Sequence, residues 1–260
     1  MGVGVFDLYN YSLLTISLIG LVAILAAIEI GRWLGVHIGD KHDDNVSTLE
    51  GAAIGLLALM VGFTFAISLS RFEARRDAIL AEANAIGTTA LRARLLPEQH
   101  RKEVLELLRD YVKIRLDLTH HPATAADLVA ATQRSNTLQE KLWQQAEAMA
   151  AIDRGVVPTG FFIQTLNEMI DDQAKRLAAI RNRVPNVVQL ALFGIIACGF
   201  TGYATGLDKR RSRLPVYVMG LLAGAVILLI LDLDRPGAGF IEVSQQPMID
   251  TASSIAGFDD

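Results

Sequence analysis

The chain has 260 residues, 52% of them hydrophobic, and carries 24 Lys and Arg against 28 Asp and Glu for a net charge of −4. A positive mean hydropathy excludes a small soluble domain, and a long charged middle section excludes a wholly membranous transporter. The near-neutral balance provides no basic field, so nucleic acid is not an expected partner. Cys198 is the only cysteine, which rules out an intrachain disulfide.

Four charge-free stretches are long enough to cross the roughly 30 Å hydrocarbon core: about 11–28, 51–69, 187–207 and 214–231. The first has no positive n-region and no small-residue cleavage site before Arg32, so it reads as an uncleaved span. Glu29 and Arg32 near its end, with Trp33, read as an interfacial anchor, where snorkelling makes a charge cheap. The loop that follows gathers His37, Asp40, His42, Asp43 and Asp44. Their spacing fits no metal site with a mechanical rationale, and a solvated acidic loop is the simpler reading.

Span two begins after STLE, Ser47 to Glu50, a capping-box spacing. It continues without a helix breaker into SRFEARRDAILAEANAIGTTALRARLL, up to Pro97. The expectation is one helix over 47–96, half in the membrane and half a stalk. The section 71–185 carries 17 Lys/Arg and 15 Asp/Glu and shows no strand-like alternation. Pro97 and Glu98 suit the first turn of a helix, in which Val104, Leu105, Leu108, Tyr111, Val112, Arg115 and Leu116 form one face. His120, His121 and Pro122 end it. Thr124 with Asp127 resembles a capping box for the next helix, and Pro158 or Thr159 starts the last, which stops at Pro185.

Gly51 and Gly55, Gly202 and Gly206, and Gly220 and Gly224 have the small-xxx-small spacing that lets helices approach closely in lipid. Span four ends at Asp232 and Asp234 before a Pro-Gly break. Asp171, Asp172 and the scattered Glu residues read as solvated helix faces. With no nucleotide loop, nucleophile elbow or zinc finger, no catalytic residue, metal or cofactor is expected, and the chain is not expected to be an enzyme.

The fold class expected is therefore all-α: a four-span integral membrane protein with a helical extramembrane domain between spans two and three. Its divisions are a first transmembrane pair (1–70), a soluble helical domain (71–185), a second pair (186–235) and a C-terminal tail (236–260). Four spans put both termini and the middle domain on one side. Near the span ends that side has eight Lys/Arg against six on the other, so the positive-inside rule leans towards a cytoplasmic domain, although the basic DKRRSR hairpin opposes it.

The segment VGFTFAISLSRFEARRDAI resembles the pore helix of the bestrophin channels. It carries Gly62-Phe63, then Ser68, Ser70, Arg71 and Phe72 ahead of a charged continuation. The plan is similar too: two spans, a helical section, two spans, then an acidic-Pro-Gly segment. EANAIGTTALRARLLP is closer to a bacterial bestrophin-like family. The resemblance implies a homo-oligomer, a pentamer in that family, conducting inorganic anions across a bacterial inner membrane through a hydrophobic neck lined by span two. The family's neck positions fall on Gly55, Leu59 and Phe63, four apart and so on one face, where Leu59 and Phe63 rings would gate by dewetting. Gly55 replaces a bulky residue, so the outer neck is expected to be wider. Arg71 is expected at the pore mouth, where positive potential concentrates anions. Animal bestrophins bind calcium through an acidic cluster after the last span. Only Asp232 and Asp234 stand there, with Arg235 beside them, so calcium regulation is not expected. The rival reading is a non-conducting sensor or scaffold whose helical domain binds a protein partner.

Overall fold

The computed structural model describes residues 11–38, 44–117, 125–152, 157–206, 213–237 and 239–258. Within them the chain is all helix: α1 (Leu13–Ile38), α2 (Asp44–Ala93), α3 (Glu98–Asp117), α4 (Ala125–Ile152), α5 (Val157–Arg181), α6 (Asn186–Thr205), α7 (Leu214–Asp234) and α8 (Gln246–Ala256). Stretches within Leu13–His37, Ile54–Ala93, Val157–Thr205 and Leu214–Asp234 are long and apolar enough to cross a membrane. The chain divides into two compact units, 1–71 with 183–241, and 72–182 with 242–260.

The first unit is the membrane-type bundle. Its core is aliphatic and built from α1, α6 and α7, with Ile24 and Ile28 meeting Leu192, Ile196, Ile227 and Ile230. Apolar side chains of the same helices, Leu14, Leu18 and Leu222 among them, stay more than half exposed, as lipid-facing residues do. Helices pack here through glycine. A Cβ on Gly31 or Gly35 of α1 would land on the Thr201 or Thr205 carbonyl of α6, and one on Gly220 or Gly224 of α7 would press on Ile28 or Leu21 of α1. Of the small residues singled out in the sequence, Gly220 and Gly224 of α7 meet a neighbouring helix, whereas Gly51, Gly55 and Gly202 face open space. The Gly31 and Gly35 pair does the work expected of Gly202. Glu29 accepts a hydrogen bond from the Tyr217 hydroxyl of α7.

The second unit packs α3, α4, α5 and α8 around the continuing α2. Val104, Leu105, Leu108, Tyr111, Val112 and Arg115 are buried on α3, the face that their spacing indicates. The stalk contributes mostly small residues, Ala83, Ala85, Ala90 and Ala93 with Ile86.

Three local expectations change. α2 starts at Asp44, so Ser47 lies inside the helix and does not cap it. It ends at Ala93, and turn bonds from Leu95 N to Arg92 O and Leu96 N to Ala93 O lead to Pro97. α5 starts at Val157, with Pro158 in its first turn. The 236–260 segment contains a helix: Met248 and Ile255 of α8 are buried in the second core, and the Thr251 hydroxyl donates to Ala83 O at 3.2 Å. Asp40, His42, Asp43, His120, His121, Pro122 and Thr124 lie outside the described residues. His37 lies in the last turn of α1 with its Nδ1 2.7 Å from Trp33 O.

Candidate functional site

Three groups of residues carry chemistry or an unusual exposure. The first is the membrane half of α2. Among the described side chains of its membrane half, this helix buries the polar residues Thr64 and Ser68, at 2% and 0% exposure, while Leu59 and Phe63 are 52% and 59% exposed. Leu57, Val61 and Phe65 turn the other way, onto the bundle core. A Cβ at Gly55 would have no atom within 4 Å. The structure therefore brings Gly55, Leu59 and Phe63 together on one open face. Arg71 leaves that face: its Nη1 stands 4.0 Å from Asp234 Oδ1 at the end of α7.

The second group is the acidic exit of α7. Asp232 Oδ1 accepts the Phe240 N–H at 2.7 Å and Oδ2 the Ile241 N–H at 3.0 Å. Asp234 accepts the Val184 N–H on both oxygens, at 3.1 and 3.0 Å, and Gln189 Nε2 at 3.4 Å. Arg235 Nη1 donates to Tyr11 O at 2.8 Å. Between them Gly237 adopts φ +68°, a conformation that glycine takes without strain. Asp232 ties the segment that follows α7 to the helix end, and Asp234 ties the start of α6 to it.

The third group lies in the second unit and centres on Glu82 of α2, which is fully buried. Tyr111 of α3 donates to Oε1 at 2.8 Å. Arg115 straddles the carboxylate, Nε 2.9 Å from Oε1 and Nη2 donating to Oε2 at 3.2 Å. From α5, Arg176 Nη1 donates to Oε2 at 2.7 Å, and its Nη2 reaches Gln245 Oε1 at 3.2 Å, just before α8. Gln139 donates to Gln173, and Gln173 to Asn136. Burial pushes the Glu82 carboxyl up, but the charges of Arg115 and Arg176 outweigh it and leave it below its ordinary value of 4.5. Burial, and the Glu82 charge after it, push Tyr111 well above 10.0.

Glu82 thus overturns the expectation that every scattered Glu is solvated. The signal was present: Ile79, Glu82, Ala83, Ile86 and Ala90 share a 3-4 spacing, and so do Phe162, Leu166, Met169, Gln173 and Arg176, each placing a charge on an otherwise inward face. Among the described residues no group of three or more His, Cys, Asp or Glu is arranged to hold a metal.

A family model described as Bestrophin-like domain matches residues 17–248. The chain belongs to the bestrophin-like family. Its fold is similar to that of a solved bacterial Bestrophin homolog from Klebsiella pneumoniae. A single-substitution variant of that homolog gives a TM-score of 0.70 at 15% identity over 95% of this chain and 98% of that one. The structure solved by zinc phasing gives 0.66 at 15% identity, over 93% and 96%. A further solved chain, described as a membrane protein variant, gives 0.64 at 15% over 94% and 97%. No curated protein matches the chain in sequence. At these identities the likeness is one of fold, and the bestrophin-like chain is a membrane protein with four apolar helices among its described residues.

Proposed function

We propose that the chain forms an oligomeric ion channel in a bacterial inner membrane, with its neck lined by Gly55, Leu59 and Phe63 and its helical domain on the cytoplasmic side. The observation that supports it is the open α2 face. The span that carries Leu59 and Phe63, both more than half exposed, is the least buried of the four apolar stretches, and its counterpart in the bestrophin channels lines the neck. Repeating this face around an axis closes a ring of apolar side chains that gates by dewetting, and five copies are the number the resemblance implies. Arg71 is the mouth residue that the resemblance implies, turned off the lining face with its Nη1 4.0 Å from Asp234 Oδ1.

Anions are the cargo that the resemblance implies. Glu73 and Asp77 are exposed a few turns further along α2, and carboxylates there favour cations, so both ions belong in the test. Purified protein in liposomes is assayed for chloride and potassium flux beside Phe63→Ala. Chloride flux that rises in the variant supports a channel with Phe63 on the axis. Absence of flux from oligomeric, correctly inserted protein overturns it in favour of a sensor or scaffold.

A further inference from the structure

We propose that Asp234 is a specificity-determining residue of the channel: it offsets the charge of Arg71, so that the mouth lacks the anion-concentrating field a lone guanidinium would give it. The inference rests on the reading of the chain as a channel with Arg71 at its mouth.

Arg71, Asp234, Val184 and Gln189 all belong to the membrane-type unit. Arg71 turns off the open α2 face, its Nη1 4.0 Å from Asp234 Oδ1, with the two side chains 21% and 1% exposed. Asp234 is held in place. Both of its oxygens accept the Val184 N–H, at 3.1 and 3.0 Å, and Oδ2 accepts from Gln189 Nε2 at 3.4 Å. The carboxylate is therefore a fixed negative charge beside the guanidinium. Opposite charges this close act on a distant ion as a dipole, and beyond a few times their separation the two fields largely cancel. Removing one partner leaves a full charge, whose field raises or lowers the local concentration of a passing ion. The charge count agrees. The exit of α7 holds Asp232 and Asp234 against Arg235, and Arg71 makes that balance even. α2 does not depend on the pair for its place, because Leu57, Val61 and Phe65 seat it on the bundle core. What the pair governs is the field.

The test reads the reversal potential of the full chain in planar bilayers under a potassium chloride gradient, which gives the chloride-to-potassium permeability ratio. Asp234→Asn removes the charge and keeps an oxygen for the Val184 N–H. It is expected to shift the ratio towards chloride, and the shift should shrink at high salt, where the screening length falls to about 3 Å at 1 M. Adding Arg71→Gln to Asp234→Asn is expected to cancel the shift, and adding Arg71→Lys, which keeps the positive charge, to preserve it. An unchanged ratio in Asp234→Asn, a shift towards potassium, or a shift that survives Arg71→Gln overturns the proposal. Loss of folded protein in all three variants, read by melting in detergent, overturns it as well, since Asp234 would then hold the bundle and not the charge. If the parent carries no current, the channel reading itself fails, and that outcome is visible before Asp234 is touched.

Discussion

Arg176 Nη1 donates to Glu82 Oε2 at 2.7 Å across 94 residues of sequence, and both side chains are at least 95% buried. A carboxylate in this position is compulsory once the two arginines are inside. Glu82→Ala leaves Arg115 and Arg176 desolvated without a counter-charge, which costs about 3–5 kcal/mol. Thermal unfolding followed by Trp fluorescence in detergent should show the loss. Glu73→Ala, at an exposed position on the same helix, should leave the midpoint within about 0.5 kcal/mol of the parent.

The same cluster sets two edges of a pH plateau. Glu82 has a folded pKa below 4.5, so the unfolded chain binds a proton first as pH falls. The stability it contributes is complete above 4.5 and is lost as pH drops through its folded value. Tyr111 is displaced upward from 10.0, so its contribution is complete below 10.0 and declines as pH rises towards its folded value. A melting profile against pH should be flat between these edges for the pair's contribution. Tyr111→Phe should remove the alkaline decline attributable to Tyr111 while the acid limb persists.

Periodicity reveals the helices because burial is written in spacing. The α3 face from Val104 to Arg115 is legible in full, since each turn places an apolar residue inward. The open α2 face is legible for the opposite reason: a 19-residue apolar run with residues four apart defines a face whether or not anything covers it. Spacing does not reveal partners. Glu82, Arg115 and Arg176 are 33 and 61 residues apart in the chain, and only the fold shows that one carboxylate serves both cations. α8 escaped for a related reason, being 11 residues long and too short to be stable alone. Its helicity depends on the core that receives Met248 and Ile255.

Glycine spacing also separates packing from exposure. Gly31→Ala and Gly35→Ala each drive a methyl group into a backbone carbonyl of α6, which cannot rotate away as a side chain can. Each should destabilise the bundle by about 1–3 kcal/mol. Gly202→Ala and Gly55→Ala add the same methyl in open space, and Ala is the better helix former by about 1 kcal/mol. Neither should lower the melting temperature of the isolated chain. Gly55→Leu is expected to reduce ion flux, because it narrows the outer neck.

Calcium should not act at the exit of α7, and the hydrogen bonds say why. A calcium ion draws six to eight oxygens around itself, several from carboxylates. Asp232 has already committed one oxygen to Phe240 N–H and the other to Ile241 N–H, and Asp234 shares both of its oxygens with Val184 N–H. Recruiting either group would strip acceptors from backbone amides, that of Val184 a buried one, and the Arg235 guanidinium follows directly. Chelation of calcium is therefore expected to change neither the melting temperature nor the flux of the reconstituted protein. Asp232→Asn, by contrast, turns one acceptor into an NH2 facing an N–H, a cost of about 1–3 kcal/mol. Gly239→Ala should be comparably harmful, since its Cβ would fall on the Asp232 carboxylate. If calcium raised the melting temperature of the parent and not of Asp232→Asn, these carboxylates would be ligands, and the return segment would have to let go of them to bind the ion.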